Sequence, residues 1–290
     1  MARATWLIVG TVPTEFAVHR GPCELVGQNL VFAEKCFKIS RGTPALVAAC
    51  LAACAALACP APELLLVGDK GSGEGSRKLY QYLTSLLQSG ADFSGLTFHY
   101  LYPDVDAHNR ILMALENCAK RPCLVADAGF MYVAKMSGYA SSYDLFTPDL
   151  GELAFLADEK APHPFYTRGF LLAEENALEE HLKRAYAKDN AARYLIVKGR
   201  HDAIVRDGQI LSRVSEPCLA AMEAIGGTGD LITGLVTALL ASGLNLEKSA
   251  QAACQVARLA GLKAKVTPAT AIAEFIPHLA PVLKEVLAKL

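Results

Sequence analysis

Near its C-terminus the 290-residue chain reads Ile225-Gly226-Gly227-Thr228-Gly229-Asp230-Leu231-Ile232-Thr233-Gly234-Leu235-Val236. Glycine allows the backbone to adopt positive φ and to approach a ligand closely. The N–H groups in the first turn of a helix, together with the helix dipole, favour a bound anion. The pattern therefore predicts an anion-binding loop at the start of a helix, with Asp230 in the first helical turn.

Asp230 is an unusual neighbour for such a site. A carboxylate beside a bound anion is electrostatically unfavourable unless it handles a proton or a metal ion. The alternative is purely structural, because Gly and Asp are both ordinary residues at a helix N-terminus and Asp230 could serve as an N-cap. The loop alone leaves both interpretations open.

Composition limits the classes of protein to which the chain can belong. Hydrophobic residues make up 52% of it and charged residues 20%, so one large α/β domain over residues 1–290 is expected. The net charge of −1 does not indicate binding to nucleic acid or to anionic membranes. We interpret the apolar run over residues 44–62 as a core helix rather than a membrane span.

The cysteines and the N-terminus indicate a cytoplasmic protein. The nine cysteines are odd in number and contain no C-x-x-C pair, so we expect reduced thiols rather than disulfides or a zinc site. Residues 1–10 carry one charge and a short apolar run, which favours a first strand over a signal peptide.

Apolar runs of strand length alternate with longer helical patterns, which predicts a mainly parallel sheet. The predicted strands after the first are residues 63–67, 96–101, 122–126, 143–146 and 194–197, followed by a hairpin over 202–213. The predicted helices are residues 76–88, 107–119, 170–190, 230–242, 247–263 and 269–289.

Polar residues recur directly after these strands. They are Asp127, the segment 147–152 with Asp149 and Glu152, and Lys198-Gly199. Ligands bind outside the carboxyl ends of strands in open parallel sheets, so we expect these groups to meet the 226–230 loop in one cleft. Taken singly, each could instead be a helix cap or a turn residue.

Several other classes of enzyme are disfavoured. The Gly68–Gly75 stretch lies between a strand and a helix but carries Glu74 where a phosphate-binding P-loop has lysine. The chain contains no H-E-x-x-H zinc motif and no G-x-S-x-G nucleophile elbow. Zinc hydrolases and serine hydrolases therefore have no support.

Four segments in order resemble the ribokinase-like superfamily, and within it the nucleotide-dependent NAD(P)H-hydrate dehydratases. They are Leu124-Val125-Ala126-Asp127-Ala128-Gly129, Thr147-Pro148-Asp149-Leu150-Gly151-Glu152, Val197-Lys198-Gly199 and Gly226-Gly227-Thr228-Gly229-Asp230. The resemblance spans residues 40–265 and is firm from residue 122 onward. Residues 1–40 have no counterpart, and Asp149-Leu150 replaces the family's His-Pro.

The resemblance implies a three-layer α/β/α fold with a mainly parallel central sheet, and a site that uses Mg²⁺ with ADP or ATP. It implies Asp230 as general base, Asp127 and Asp149 as substrate-binding residues, and Glu152 as a Mg²⁺ ligand acting through water. The nucleotide and its anion hole would involve Lys198, Gly199, Gly226, Gly227, Thr228 and Gly229.

Three functions remain open at this point. The resemblance favours dehydration of hydrated NADH and NADPH by phosphoryl transfer to the substrate hydroxyl, a reaction of cofactor repair. The second is a small-molecule kinase acting on a sugar or a vitamin precursor, and the third is a nucleotide-binding protein without catalysis. A homo-oligomer is expected by analogy with the family.

Overall fold

The computed structural model describes residues 5–158 and 177–290. Within these ranges its strands are β1 (Trp6–Val12), β2 (His19–Gly21), β3 (Glu24–Val26), β4 (Asn29–Phe32), β5 (Lys35–Lys38), β6 (Glu63–Gly68), β7 (Gly95–His99), β8 (Cys123–Asp127), β9 (Leu145–Phe146), β10 (Tyr194–Val197), β11 (Asp202–Arg206) and β12 (Gln209–Val214). Its helices are α1 (Thr43–Leu57), α2 (Glu74–Gln88), α3 (Val105–Leu115), α4 (Gly129–Met136), α5 (Leu150–Ala157), α6 (Leu178–Ala187), α7 (Thr228–Ala241), α8 (Leu246–Lys263) and α9 (Ile276–Leu287).

The main sheet has the strand order β12-β11-β10-β9-β8-β7-β1-β6-β2. Strands β6, β1, β7, β8, β9 and β10 run parallel to one another. Strands β2, β11 and β12 are antiparallel to their neighbours and lie at the two edges. The predicted mainly parallel α/β sheet is therefore confirmed, and its carboxyl edge gathers the ends of β7, β8, β9 and β10.

Helices cover both faces of this sheet, as a three-layer arrangement requires. Alternate residues of β1 point to opposite faces, because side chains alternate along a strand. Trp6 and Ile8 pack with α1, α7, α8 and α9 in one apolar core. Leu7 and Val9 pack with α2 to α6 in the other. Helix α7, which carries the glycine-rich loop, thus lies against α1 on the first face.

A small antiparallel sheet of β3, β4 and β5 lies outside the main sheet and packs on α1. Sequence analysis did not predict strands in residues 19–38. These strands have three or four residues each, and most of their side chains are exposed or half-buried, so the apolar alternation is weak. Phe32 and Phe37 pack against Phe16 and attach this sheet to the domain.

Several helix boundaries differ from the prediction. Helix α1 ends at Leu57 rather than residue 62, because Ala58 adopts a left-handed conformation with φ 49° ahead of Pro60. The C-terminal helix starts at Ile276 rather than residue 269, after a short 3-10 turn. The helix predicted over 170–190 is Leu178–Ala187, and residues 170–176 lie outside the described chain. Among the described residues, no helix is long and apolar enough to cross a membrane.

Candidate active site

The glycine-rich loop leads into α7 as the sequence predicts. Gly227 precedes the first helical residue, Thr228, and has φ 99°. A Cβ at Gly227 would lie 3.1 Å from a side-chain carbon of Ile272 and 3.2 Å from the Cα of Arg41. The positive φ and this close approach both require glycine at the turn.

A first cavity of about 430 Å³ opens beside this loop. Nearly all the predicted site residues line it: Asp127, Asp149, Glu152, Lys198, Gly199, Gly227, Thr228, Gly229 and Asp230. Gly226 lies just before the cavity wall, beside the side chain of Arg41. Strand ends that are distant in sequence therefore meet the loop, as the topology of a parallel sheet predicts.

Lys198 and Asp127 form a buried ion pair in the wall of the first cavity. The Lys198 Nζ lies 2.9 Å from one carboxylate oxygen of Asp127, which is 2% exposed. Asp127 also accepts hydrogen bonds from the Thr233 hydroxyl at 2.6 Å and the Ala128 N–H at 2.8 Å. Burial alone lowers the pKa of the Lys198 amine, but Asp127 and Glu152 outweigh it and raise the pKa above its ordinary value.

The Lys198 side chain also packs on the loop. A Cβ at Gly229 would lie 3.2 Å from the Lys198 Nζ, so glycine at this position leaves room for the ammonium group. The Lys198 N–H donates to the Pro148 carbonyl at 2.7 Å, which fixes the lysine backbone to the segment that carries Asp149. The ammonium group therefore lies between a buried carboxylate and the first turn of α7.

Asp230 does not cap its own helix. One of its carboxylate oxygens accepts the Gly42 N–H at 2.6 Å, and the other contacts His99 Nε2 at 3.0 Å. Burial raises the pKa of Asp230, but the hydrogen bonds from His99 and Gly42 and the charge of Lys198 lower it below the ordinary value. Asp230 is therefore an ionised carboxylate beside the glycine-rich loop, the state that accepts a proton.

His99, at the end of β7, is a site residue that sequence analysis missed. It is fully buried, and its second ring nitrogen contacts the Thr43 hydroxyl at 2.9 Å. The predicted strand ran over residues 96–101 and placed His99 inside it, whereas the observed strand ends at His99, so the strand-end signal that identified Asp127 did not identify His99. Gly42 carried no comparable signal, because its contact with Asp230 joins residues 188 positions apart in the chain.

A second cavity of about 600 Å³ adjoins the first. Gly42, Arg41 and Thr43 line it, and the two cavities share Tyr100, Ala128 and Glu152. Asp230 lines the first cavity and accepts the N–H of Gly42, which lines the second, so the two cavities are linked through this hydrogen bond.

Tyr100 occupies the boundary between the two cavities with an unusual backbone. Its φ of 56° lies in the left-handed region, which is uncommon for a bulky residue. The Thr11 hydroxyl donates to the Tyr100 carbonyl at 2.7 Å and stabilises this conformation. Strained residues of this kind concentrate at functional sites.

Asp149 and Glu152 form a capping box at the start of α5. The Asp149 carboxylate accepts the Glu152 N–H at 2.7 Å, and Glu152 accepts the Asp149 N–H at 2.9 Å. Glu152 also accepts the Tyr132 hydroxyl at 3.3 Å. Asp149, expected to bind substrate, thus lines the first cavity as a helix cap, and neither it nor Asp127 lines the second cavity.

The charges of the first cavity fit a divalent cation. Six carboxylates line it, those of Asp127, Asp149, Glu152, Asp202, Glu223 and Asp230, and the cations of Lys198, Arg200 and Arg258 partly balance them. Burial raises the pKa of Glu152 to about 8, with Asp149 and Asp127 adding to the rise and Lys198 opposing it. Oxygen ligands of this kind are those that Mg²⁺ prefers, and Glu152 could hold the ion through water.

A second buried ion pair supports the Lys198-Gly199 segment. Arg258 is 6% exposed and lies 2.8 Å from the Asp202 carboxylate. It also donates to the carbonyls of Gly199 and Arg200 at 3.0 Å each, while Asp202 accepts the Gly199 N–H. Sequence analysis missed this pair, because nothing local to either residue marks an interaction across 56 positions.

Comparison with known proteins agrees with this architecture. A family model described as NAD(P)H-hydrate dehydratase matches residues 104–279. An uncharacterized protein of Methanocaldococcus jannaschii is 36% identical over 226 residues, which are 78% of this chain and 92% of that protein.

Two solved structures share the fold. A ribokinase-like superfamily protein from Enterococcus faecalis has a TM-score of 0.56 at 15% identity and covers 98% of this chain and 87% of its own. Pyridoxal kinase from Entamoeba histolytica has a TM-score of 0.55 at 14% identity and covers 97% of this chain and 96% of its own. The predicted ribokinase-like fold is confirmed by these likenesses.

Proposed function

The chain belongs to the NAD(P)H-hydrate dehydratase family, a group of ribokinase-like enzymes, and we propose that it dehydrates hydrated NADH and NADPH with ADP or ATP. The observation that carries this proposal is the position of Asp230. Its carboxylate lies in the wall of the first cavity, in the first turn after the 226–229 loop, and accepts the N–H of Gly42 in the wall of the second. A nucleotide in the first cavity would lie beside it, and a hydroxyl compound at the boundary of the two cavities would present its oxygen to it.

The first cavity suits a nucleotide whose terminal phosphate lies at the loop. The first turn of a helix presents N–H groups without intrahelical partners, and these stabilise negative charge that develops during phosphoryl transfer. Thr228 donates its hydroxyl to the Ile225 carbonyl at 3.3 Å, which holds the loop in shape. Lys198, beside Gly229, adds a positive charge on the same side.

Asp230 would act as the general base. It takes the proton from the substrate hydroxyl as that oxygen attacks the terminal phosphorus in line, and the bond from phosphorus to the nucleotide oxygen breaks. The products of this step are the phosphorylated hydrate and the shortened nucleotide.

The second step of the proposal releases inorganic phosphate. The C–O bond of the phosphorylated hydrate breaks, the neighbouring carbon loses a proton, and the dihydronicotinamide double bond returns. Mg²⁺ would supply charge neutralisation on the phosphates, and Glu152, in the wall of the first cavity, would hold it through water.

A small-molecule kinase is the second candidate, and one observation favours it. Asp149 and Leu150 occupy the place of the family's His-Pro, and the Asp149 carboxylate is engaged with the Glu152 N–H. A hydroxyl compound other than a hydrated nicotinamide would then be phosphorylated by the same first step, with the ester as the final product.

A turnover assay tests the proposal. Purified protein is given Mg²⁺ and hydrated NADH, with ADP in one series, ATP in another and no nucleotide in a third. Return of the NADH absorbance that requires nucleotide supports the dehydratase and identifies its phosphate donor.

Two other outcomes reject the dehydratase proposal. The protein could bind nucleotide and phosphorylate another alcohol without returning the NADH absorbance. This result would establish the kinase. Nucleotide binding with no transfer to any alcohol would establish a binding protein without catalysis.

A further inference from the structure

A buried chain of hydrogen bonds leads away from Asp230 into the protein. The Thr43 hydroxyl contacts His99 Nδ1 at 2.9 Å, and His99 Nε2 contacts the Asp230 carboxylate at 3.0 Å. His99 is 0% exposed and Thr43 is 1% exposed. His99 lines neither cavity, so it does not touch a reactant in either space.

The contact with Asp230 fixes the position of one hydrogen on the imidazole. An ionised carboxylate accepts hydrogen bonds only, so the contact with Asp230 requires a hydrogen on His99 Nε2. In the neutral ring Nδ1 is then an acceptor, and the Thr43 hydroxyl is the donor that satisfies it. His99 is therefore the donor to Asp230, and Thr43 holds the other nitrogen of the ring.

The neighbouring strand makes room for this chain. Gly10 of β1 is paired with His99 of β7. A Cβ at Gly10 would lie 2.9 Å from the Thr43 methyl carbon and 3.0 Å from the His99 carbonyl. Any larger residue at this position would push Thr43 away from the imidazole, since real Cβ contacts are essentially never this short.

Both oxygens of the Asp230 carboxylate accept a hydrogen bond. His99 holds one oxygen, and the Gly42 N–H holds the other at 2.6 Å. Gly42 and Thr43 are consecutive residues at the start of α1. The same turn of backbone therefore positions the Gly42 N–H against Asp230 and the Thr43 hydroxyl against His99. Two donors on separate oxygens fix the plane of the carboxylate and the direction in which it accepts a proton.

We infer that His99, held by Thr43, is a positioning residue that orients Asp230 and keeps it ionised for proton abstraction. This inference rests on the proposed role of Asp230 as the base. It predicts that loss of the imidazole donor lowers kcat with little effect on KM, because His99 contacts neither cavity.

The other groups around Asp230 do not replace this function. Asp127 Oδ2 lies 3.9 Å from His99 Nε2, too far for a hydrogen bond. The ring of Tyr100 packs edge-on against the ring of His99. The charges of Asp230, Asp127, Glu152 and Lys198 interact with the Tyr100 phenol. Of these titratable groups, His99 makes the direct hydrogen bond to Asp230.

Two amide substitutions of His99 distinguish its hydrogen bond to Asp230 from its hydrogen bond to Thr43. The amide nitrogen of Gln reaches close to the Nε2 position, so His99→Gln keeps a donor toward Asp230. The shorter Asn reaches only the Nδ1 position, so His99→Asn keeps the Thr43 contact and loses the donor. The control is Thr97→Val, a buried hydroxyl on β7 that bonds Trp6 and Thr237 rather than His99.

The first readout does not depend on turnover. NMR of carboxyl-labelled protein, with Asp230→Asn for assignment, gives the pKa of Asp230 in each variant. We expect His99→Asn to raise it by about one unit, His99→Gln to leave it near the wild-type value, and Thr97→Val to leave it unchanged. An unchanged Asp230 pKa in His99→Asn overturns the inference.

The second readout is the kinetics of the active enzyme. His99→Asn should lower kcat roughly ten- to hundredfold, as expected for a hydrogen bond to a charged group, with KM within about twofold. The acid limb of its pH profile should move to higher pH, and His99→Gln should recover most of the rate. Equal losses in the two amides overturn the inference.

Thr43→Val provides a second route if His99→Asn does not fold. It removes the hydroxyl at nearly constant volume and should move the Asp230 pKa in the same direction by a smaller amount. No shift in Thr43→Val then overturns the inference. Absence of turnover in the wild-type protein would reject the proposed function instead, while the NMR shifts would still decide the coupling of His99 to Asp230.

Discussion

Replacing Lys198 with methionine should destabilise the fold strongly, because it leaves Asp127 as an unpaired buried charge. Asp127 is 2% exposed, and the Lys198 side chain is 13% exposed. Removing one partner of a buried ion pair costs about 3–5 kcal/mol. Thr233 and the Ala128 N–H still donate to Asp127, so we expect Lys198→Met to lie at the lower end, about 3 kcal/mol.

The reverse change should be milder. Asp127→Asn leaves Lys198, whose ammonium group borders the first cavity and can be hydrated there. We expect a loss of about 1–2 kcal/mol, the typical penalty for an unmade hydrogen bond. The double variant should be less destabilised than the sum of the two single variants, because it contains no unpaired charge.

Urea unfolding at neutral pH, without nucleotide or Mg²⁺, measures these differences. Lys70→Met is the matched control, since Lys70 pairs with Glu15 at the exposed surface and its loss should leave the unfolding midpoint unchanged. The penalty for an unpaired charge at Asp127 is refuted if Lys198→Met is as stable as the control. It is also refuted if Asp127→Asn is the more destabilised of the two single variants.

Three further predictions concern the walls of the first cavity. Gly227→Ala should cost about 1–2 kcal/mol, because φ 99° strains any other residue, and should weaken nucleotide binding measured by calorimetry. Unchanged binding would remove the loop from the nucleotide site. Arg258→Met should cost about 3–5 kcal/mol in urea unfolding by leaving Asp202 buried without its cation, and a loss no larger than that of a surface variant would contradict the pairing. The lowered pKa of Asp230 stabilises the fold fully above the unfolded carboxyl pKa of about 3.9, and this stability is lost as pH falls through the lower folded value. The stability difference between wild type and Asp230→Asn should therefore be constant from neutral pH to about 5 and shrink below it. A difference that grows on acidification would contradict a lowered pKa of Asp230 in the folded state.

The central sheet was predictable because its strands are buried on both faces. Such strands read as continuous apolar runs, and strand β10 matches the predicted residues 194–197. The hairpin of β11 and β12 was predictable for a different reason, since Asp207-Gly208 is a strong turn signal. Strands β2 to β5 were not predictable, because they are short and mostly exposed or half-buried. Strand β2 depends on pairing with β6, and the small sheet depends on the packing of β3 and β4 against α1.

The residues of the candidate site were likewise only partly predictable from the sequence. Asp127, Lys198 and the 226–230 loop follow strands or open a helix, so position in the chain alone was enough to group them. His99 and Gly42 acquire their roles only through contacts with Asp230 across 131 and 188 residues. No local pattern encodes such contacts, because they arise when β7 and the start of α1 meet at the carboxyl edge of the sheet.

The most direct test of the central claim measures phosphate release and NADH return together, in wild type and in Asp230→Asn, with hydrated NADH, Mg²⁺ and the active nucleotide. We expect about one phosphate for each NADH restored by the wild type. In Asp230→Asn both signals should vanish while nucleotide affinity stays within about threefold, since the carboxylate acts on the hydroxyl proton rather than on the nucleotide. Retained turnover in Asp230→Asn, or NADH return without nucleotide, would contradict the account.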